Sequence, residues 1–434
     1  MTDNLVIYHL HSDNSLLDSC TGYKLYIDRA AELGQPAIAF SEHGKPLNWV
    51  KKKMYCDEKG IKYVHGVEIY LTESLNEKVR DNYHTVLIAR NEQGVKELNL
   101  AVSKSCDKDH FYYVNRLSFD EFLKLSNNII TTSACLASPL NKLPVDHPMY
   151  ESLVKRYDFL EIQAHDCQEQ RDFNVHLAEL AKKYSKSLIA GTDTHSLDKY
   201  KAECRKILLK YKNKSYGDED TYDLTYKSRE ELDAAFARQG VLPPELYRQA
   251  MDNTLVMADM VEPFELDASI KYPILYGSAE EDSRIETERV DRMFKEKLEA
   301  GIIPPEQEKG FRSALTEERR VFEKLGMSGF MLCMSELICW CKENNIPIGP
   351  GRGSVGGSRT AFVTDIIECN PEQWHTVFSR FCNEDRIEIG DIDIDCIETD
   401  RPKIFKYIIN RFGERKTARV PSFGTLQEKG TIKG

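Results

Sequence analysis

Short apolar runs recur through roughly the first 200 residues of this 434-residue chain, and amphipathic segments separate several of them. Runs such as LVIYHLH, PAIAF, HTVLIAR and SLIAG have the length and β-branched content of strands, whereas KLYIDRAAELG has the apolar spacing of a helix. Repeated strand–helix units predict an α/β fold with mostly parallel strands, arranged either as a barrel or as an open sheet.

Metal-binding side chains stand at or beside the ends of these predicted strands. His9 and His11 are two residues apart, as are Asp193 and His195, and on a strand such pairs point to the same face. An isolated histidine is usually a core or surface residue, so the prediction depends on the repetition. The candidate ligands are His9, His11, Asp18, His43, Glu68, His84, Cys135, Asp193 and His195. This mixture of donors predicts a site for two or three ions of Zn²⁺, Mn²⁺ or iron that activates water against phosphoesters.

A glycine-rich stretch, IPIGPGRGSVGGS, occupies residues 346–358. Glycines let backbone amides approach phosphate oxygens closely, and a helix predicted to begin within the stretch would add the positive end of its dipole. An arginine there could hold a phosphate bidentately. The candidate phosphate-binding residues are Gly351, Arg352, Gly353, Ser354, Gly357 and Ser358. A flexible turn without a ligand has a similar sequence, so the loop alone leaves both interpretations open.

Three aspartates alternate with isoleucines in the following sequence DIDID. In a strand, Asp391, Asp393 and Asp395 share one face, while Ile392 and Ile394 face the core. Carboxylates on one face repel each other unless cations neutralise them, and Mg²⁺ prefers one or two carboxylates together with substrate phosphates. The alternative is the polar outer face of an edge strand, although acidic residues are poor strand formers. A phosphate loop followed by an aspartate strand predicts two-metal nucleotidyl transfer.

Changes in pattern divide the chain into two predicted domains. We expect a first domain at 1–265, a linker at 266–283 and a second domain at 284–434. The net charge of −11 argues weakly against a generic nucleic-acid binder. The last 35 residues nevertheless carry nine basic against three acidic side chains, which would suit either a polyanion or a solvated helix face.

Seven segments, in order along the chain, carry a family resemblance. HLHSDNSLLDS, SEHGKPL, GVEIY, HTVLIARNEQG, TSACLAS, FLEIQAH and GTDTHSL resemble the PHP domain of the C-family bacterial replicative DNA polymerases, over roughly residues 4–210. The resemblance implies a PHP-type distorted (β/α)7 barrel in which the nine candidate residues are the metal ligands, and it permits a 3′–5′ exonuclease. Some family members have lost ligands and keep the domain as a scaffold. Glu42 stands where the family usually has Asp, and we expect it to orient His43.

A second resemblance covers about residues 320–427. LGMSGFMLCMSELICWCKENN, VFSRFCNEDRIEIGDIDID and RPKIFKYIINRFGE resemble the palm of the same family. The resemblance implies a helical connector followed by a nucleotidyltransferase-like α+β palm, in which Asp393 and Asp395 are catalytic and bind Mg²⁺. Gly390 and Cys396 replace the Pro and Phe usual in the family, changes that we expect to be tolerated.

The palm is expected to be incomplete. No residue after Asp395 matches the family's third aspartate, and Asp400 is predicted to cap the next helix. Family members are much longer, and this chain stops soon after an FGT motif. We therefore expect one piece of a split or interrupted polymerase that needs a second polypeptide for activity.

The expected function is that of a DNA-directed DNA polymerase acting on primer–template DNA and deoxynucleoside triphosphates, with replisome proteins such as a sliding clamp as partners. The alternatives are a metal-dependent phosphoesterase or 3′–5′ exonuclease acting from the PHP domain, and a non-catalytic replisome scaffold. No apolar run is long enough for a membrane span, no secretory signal is evident, and the 12 cysteines are scattered. We expect reduced thiols and a cytoplasmic location, in a bacterium or in the host of a phage.

Overall fold

A computed structural model describes residues 3–213, 222–383, 390–420, 422 and 424 of the chain. It divides into two compact units, Met1–Asp267 and Ala268–Gly434. The FGT motif and the basic residues after it lie largely or wholly outside the described residues.

The first unit is built around one mixed sheet. Its strands among the described residues are β1 (Ala37–Phe40), β2 (Lys62–Thr72), β3 (Tyr83–Ala89), β4 (Arg116–Ser118), β5 (Ile129–Thr132), β6 (Phe159–Gln163) and β7 (Ser187–Gly191). They lie in the order β1-β2-β3-β5-β6-β7, and β4 pairs with β2. Strand β3 runs antiparallel to both β2 and β5, whereas the other pairs are parallel. The connection from Thr72 to Tyr83 is too short for a parallel crossover, which needs about a dozen residues or more.

The segment 5–10, predicted as the first strand, joins the two edges of this sheet without forming a regular strand. Ile7 forms a parallel bridge with Ile38 beside β1, and Leu10 forms one with Thr194 just beyond β7. The backbone amide of His11 also donates to the carbonyl of Thr194 at 2.7 Å. The sheet thus curls into a distorted barrel, and the predicted α/β class is confirmed.

Helices surround the barrel because each buries one apolar face. They are α1 (Tyr23–Leu33), α2 (Trp49–Lys59), α3 (Glu92–Ser105), α4 (Phe119–Leu123), α5 (Pro139–Lys142), α6 (Tyr150–Arg156), α7 (Gln168–Tyr184), α8 (Lys199–Tyr211), α9 (Arg229–Gln239) and α10 (Pro244–Asp259). In α1, Tyr26, Ile27 and Ala30 are buried, and the helix ends at Gly34, whose φ of 69° suits glycine. The segment KLYIDRAAELG therefore forms the predicted helix.

The second unit is mainly helical in its described part. Its helices are α11 (Ala279–Glu299), α12 (Glu308–Leu325), α13 (Ser328–Glu343), α14 (Arg359–Val363) and α15 (Arg401–Phe412). Helix α11 begins inside the segment predicted as a linker, and the buried carboxylate of Asp282 accepts hydrogen bonds from the amides of Leu275 and Tyr276. Asp400 takes the N-cap position of α15, but its side chain pairs with Lys403 instead of capping the helix.

The expected β component of the palm consists, in the described residues, of two isolated antiparallel bridges. Ile348 pairs with Cys396, and Arg352 pairs with Asp393. Across both units, all twelve cysteines are free. Among the helices that the structure describes, none is long and apolar enough to cross a bilayer.

Candidate metal centre and phosphate loop

The first unit brings all nine candidate ligands into one connected cluster, hereafter the metal centre. Eight of them form three groups of three residues, and within each group the ligand atoms lie within 4.8 Å of one another. The groups are His11 with His43 and His195, His9 with His11 and Asp193, and Glu68 with His84 and Cys135. Asp18 joins the first group, since its Oδ2 lies 2.8 Å from Nε2 of His43 and 3.3 Å from Nε2 of His195. The fold achieves this convergence because these residues lie within, or in the segments beside, strands that meet at one rim of the barrel.

Glu68 links the three groups. Its Oε2 lies 2.7 Å from Nδ1 of His43, and its Oε1 lies 2.7 Å from Nδ1 of His84 and 3.6 Å from Nε2 of His9. The imidazole of His11 stacks against those of His43 and His195, with ring centroids 4.1 and 4.3 Å away. One carboxylate among so many imidazoles is the arrangement expected of a bridging ligand.

The hydrogen bonding of three imidazole nitrogens shows whether these ligand atoms fit a metal ion. Nε2 of His9, of His11 and of His195 are buried and have no hydrogen-bond partner within the described structure. Leaving such an atom buried and unpaired costs about 1–3 kcal/mol. Three of them meeting beside Asp193 and Asp18 fit divalent cations, because a cation would satisfy every lone pair at once.

Charges in the centre shift its groups in both directions: against the lowering effect of burial, neighbouring carboxylates raise the pKa values of His9, His43 and His195, whereas His11 and Glu68 take the forms that bind metals. Burial, followed by the neighbouring imidazoles of His43 and His195, lowers the pKa of His11 to about 3. Burial alone would raise the pKa of Glu68, but His84 and His43 outweigh it and hold that pKa well below its ordinary value. A neutral imidazole and an ionised carboxylate are the forms that coordinate metals.

The centre opens to solvent on one side. The side chains of His43 and His84 are 23% and 20% exposed, whereas those of His9 and His11 are fully buried. A cavity of about 270 Å³ adjoins this open side, and His84 and Cys135 form part of its wall. A substrate could reach the centre through this cavity without any change in the barrel.

Buried residues outside the predicted set hold several ligands in place. Arg205 donates from Nη2 to Oδ1 of Asp18 at 2.6 Å and from Nε to the Asp18 carbonyl at 2.7 Å. His9 Nδ1 lies 2.6 Å from Oε1 of Glu161. Sequence analysis missed both, although a charged residue inside the apolar run FLEIQ is itself a signal.

Glu42 does not contact the imidazole of His43 as predicted. Its carboxylate lies 2.5 Å from Nζ of Lys52 and accepts a hydrogen bond from the hydroxyl of Ser15 at 2.6 Å. Ser15 Oγ in turn lies 3.0 Å from Nδ1 of His11 and accepts from the backbone amide of His43 at 3.1 Å. Glu42 therefore reaches the imidazole of His11 and the backbone of His43 through Ser15.

In the second unit, the glycine turn and two of the aspartates lie together. The amide of Gly349 donates to the carbonyl of Asp395 at 2.8 Å. The guanidinium of Arg352 lies 3.6 Å from Oδ2 of Asp393 and 3.2 Å from Oδ2 of Asp395. All three aspartates of DIDID are exposed, and the two isoleucines pack against the core, so the predicted alternation is present.

Two glycines of the turn cannot be replaced without strain. Gly351 and Gly353 have φ values of 93° and 83°, a region that side chains disfavour. A Cβ atom on Gly351 would also lie 2.4 Å from Cγ2 of Ile367. The backbone beside Asp393 and Asp395 is therefore fixed by glycine.

The other end of the loop differs from the prediction. Gly357 and Ser358 are buried, and a Cβ on Gly357 would lie 2.3 Å from the carbonyl oxygen of Val377. Ser358 caps α14 by accepting from the amide of Ala361 at 3.1 Å. These two residues anchor the loop to the core, while Ser354 stays half-buried beside the turn.

A carboxylate of the protein fills the predicted anion site at the start of α14. The amides of Arg359 and Thr360 donate to Glu318 at 2.8 and 2.9 Å, and the hydroxyl of Ser358 donates to it at 2.7 Å. These donors are therefore taken by Glu318 in the structure, and binding of substrate phosphate at this helix end stays a prediction. The same physics holds, but the anion that the amides bind is Glu318 on α12.

Comparisons with known proteins agree with this division. A family model described as the PHP domain matches residues 8–165, which contain most of the metal centre. A second, described as the bacterial DNA polymerase III alpha NTPase domain, matches residues 288–434. The class that the fold and the site define is thus a PHP-domain protein with a polymerase segment.

The curated relatives share one name, DNA polymerase III subunit alpha. That of Aquifex aeolicus is 29% identical over 100% of this chain and 39% of its own length. Those of Borreliella burgdorferi and Helicobacter pylori are 28% and 26% identical, each over 98% of this chain and 38% of their own length. The chain is similar to these DNA polymerase III alpha subunits over nearly its whole length, and it spans about two fifths of theirs.

Among solved structures, one described as a metal-dependent phosphoesterase from Bifidobacterium adolescentis aligns with 46% of this chain and 96% of its own. The identity is 13% and the TM-score is 0.34.

Proposed function

We propose that the chain supplies the nucleotide-binding part of a replicative DNA-directed DNA polymerase, acting on primer–template DNA and deoxynucleoside triphosphates. The supporting observation is that Arg352 lies between Asp393 and Asp395 on a glycine-fixed turn. The relatives are longer than the part that aligns, so the reconstituted enzyme tested below includes a polypeptide that matches their remaining length. By family, its partners would include replisome proteins such as a sliding clamp, in the cytoplasm.

Mg²⁺ fits the aspartate pair, because it commonly binds one or two carboxylates together with substrate phosphates. When bound, it would supply charge neutralisation for the triphosphate and a lowered pKa for the primer 3′-hydroxyl. Asp393 and Asp395 would hold the ions. Arg352 would turn from the carboxylates to the triphosphate, since both partners of its guanidinium are exposed and the ion pairs are weak.

Primer extension tests this proposal. In the reconstituted enzyme, Asp393→Asn or Asp395→Asn should reduce extension by about 100-fold or more, because each removes charge stabilisation in the transition state. Asp400→Asn is the matched control, since Asp400 pairs with Lys403 at the start of α15, and it should leave extension unchanged. Extension at the wild-type rate by either aspartate variant would refute the assignment.

A second candidate function is hydrolysis of phosphoesters at the metal centre, including 3′–5′ exonuclease activity. The three unpartnered imidazole nitrogens and the adjoining cavity favour it. Two or three ions of Zn²⁺ or Mn²⁺ would be held by the nine ligands and would activate water. The cavity wall would position the ester beside the open side of the centre.

Metal analysis separates the candidates. The purified chain should contain two to three ions, and His9→Ala with His11→Ala should lose metal and nuclease activity while sparing primer extension. The aspartate variants should do the reverse. If neither pair changes any activity, the non-catalytic scaffold becomes the better account.

A further inference from the structure

We infer that Glu161 is a positioning residue of the metal centre, which fixes the imidazole of His9 so that Nε2, and not Nδ1, faces the ions. The inference rests on the proposed metal-binding function of the centre. Glu161 lies on β6 and is completely buried, and although it falls within the segment FLEIQAH it is not one of the nine candidate ligands.

The contacts of Glu161 determine which nitrogen of His9 carries the proton. Oε2 accepts from the hydroxyl of Tyr8 at 2.8 Å and from that of Thr132 at 3.0 Å, and Oε1 accepts from Nε2 of Gln163 at 2.7 Å. Because three of its acceptor positions already receive hydrogen bonds from these donors, Glu161 meets His9 as an acceptor as well. His9 Nδ1, at 2.6 Å from Oε1, must therefore donate its proton to Glu161.

In the neutral imidazole, the form that binds a metal, the lone pair of His9 is then on Nε2. This atom has no hydrogen-bond partner in the described structure, and it lies 3.3 Å from Oδ1 of Asp193 and 3.6 Å from Oε1 of Glu68. It points to the side of the ring away from Glu161, where the other ligands converge. A carboxylate on the far nitrogen also makes the imidazole a stronger donor to a metal.

The barrel is built to admit this carboxylate. Gly191, on the neighbouring strand β7, lies so close that a Cβ atom would be 2.0 Å from Oε1 of Glu161. No side chain fits at that position while Glu161 keeps its place. The absence of a side chain at Gly191 leaves room for the Glu161 carboxylate, and the four contacts of Glu161 then hold that carboxylate beside Nδ1 of His9.

Glu161 is not itself placed to be a ligand. Both of its oxygens already have two partners each, and it meets His9 at the nitrogen opposite the cluster. A purely structural carboxylate remains the alternative. That alternative predicts loss of folding stability with no specific effect on metal binding.

The test compares Glu161→Gln with Tyr8→Phe in the full chain. Glu161→Gln keeps the shape but removes the charge beside His9, and its affinity for Zn²⁺, measured by chelator competition, should fall roughly 10–100-fold. The visible spectrum of the Co²⁺-substituted chain should shift as well. Tyr8→Phe removes another hydrogen bond to the same carboxylate without touching His9, so Zn²⁺ affinity should change by less than about threefold.

Equal Zn²⁺ affinity in Glu161→Gln and wild type would overturn the inference. If Glu161→Gln fails to fold, ¹⁵N NMR of wild type decides, with His9 assigned by comparison with a His9→Asn spectrum. A protonated Nδ1 and a metal-bound Nε2 are expected, whereas metal on Nδ1 would overturn the inference. A wild-type chain that binds no Zn²⁺, Mn²⁺ or iron at all would instead refute the metal centre itself.

Discussion

Replacing Glu318 by alanine should destabilise the second unit and loosen the phosphate loop. The Glu318 side chain on α12 is buried, and it accepts three hydrogen bonds from the start of α14. No other acceptor for these groups lies nearby in the described contacts. The loop that carries Arg352 therefore depends on one carboxylate at its far end.

The magnitude follows from the groups that lose their acceptor. Two amides and one hydroxyl would be left buried and unpaired, at about 1–3 kcal/mol each. Part of this loss is recovered, because burial raises the pKa of Glu318 and so makes its charged form costly in the folded state. The net loss should be about 3 kcal/mol, the lower end of the sum for three unpaired neutral groups. Glu318→Gln, which keeps an acceptor oxygen, should lose about half as much.

Urea unfolding followed by tryptophan fluorescence is the assay. A Trp49→Phe background leaves Trp340 and Trp374, which both belong to the second unit, so the signal reports that unit alone. The matched control is Glu323→Ala, an exposed residue of the same helix, which should change the free energy of unfolding by less than about 0.5 kcal/mol. Equal losses for Glu318→Ala and Glu323→Ala would show that the three hydrogen bonds do not anchor the loop.

Three further changes test other parts of the structure. Gly191→Ala should lower the free energy of unfolding of the first unit by about 1–3 kcal/mol through overpacking against Glu161. Gly22→Ala, whose Cβ would have its nearest neighbour at 3.8 Å, should lower it by less than half as much, and a urea titration with Trp340 and Trp374 replaced by Phe measures both, since Trp49 then reports the first unit. Burial raises the pKa of Glu286 to about 7, so between its ordinary value of 4.5 and pH 7 only the unfolded chain loses this proton. Stability should therefore fall by about 1.4 kcal/mol per pH unit as pH rises through that window, and Glu286→Gln should flatten the profile of unfolding free energy against pH. Arg352→Ala removes a cation that competes with metal ions for the aspartate pair. Since exposed ion pairs contribute about 0.2–1 kcal/mol, Mn²⁺ affinity measured by EPR should rise up to about fivefold, while triphosphate binding weakens. An unchanged Mn²⁺ affinity would contradict the competition between Arg352 and the metal.

The sequence predicted the parts of the structure that follow from periodicity. Apolar runs of the right length became β1, β2, β3, β5, β6 and β7, and the ligands at their ends converge because strand ends meet at one rim of the barrel. The alternation of Asp and Ile in DIDID likewise separates exposed carboxylates from packed side chains. Each of these predictions uses only local spacing, which the fold preserves.

Features that depend on contacts between residues far apart in the sequence could not be predicted in the same way. The direction of β3 depends on how its connection to β2 closes, and strand content alone does not specify it. Gly357 and Ser358 were assigned to substrate phosphate because residues that hold a loop and residues that bind a phosphate are of the same types. Only the position of Glu318, 40 residues earlier than Ser358 in the chain, distinguishes the two roles.

The roles that sequence analysis missed belong to charged residues that lie inside apolar patterns. Glu161 interrupts an apolar strand, and Glu318 lies on the same helical face as the buried Leu315 and Phe322. A buried charge is costly unless it is hydrogen-bonded, so such a residue in a stable fold must be satisfied by groups that it positions. Glu286 has the same sequence signature on α11, yet both of its oxygens lack partners in the described residues. Because a buried charge without a partner is costly, Glu286 should be protonated near neutral pH. Glu286→Gln should therefore leave the folded structure stable, whereas Glu161→Gln should weaken metal binding.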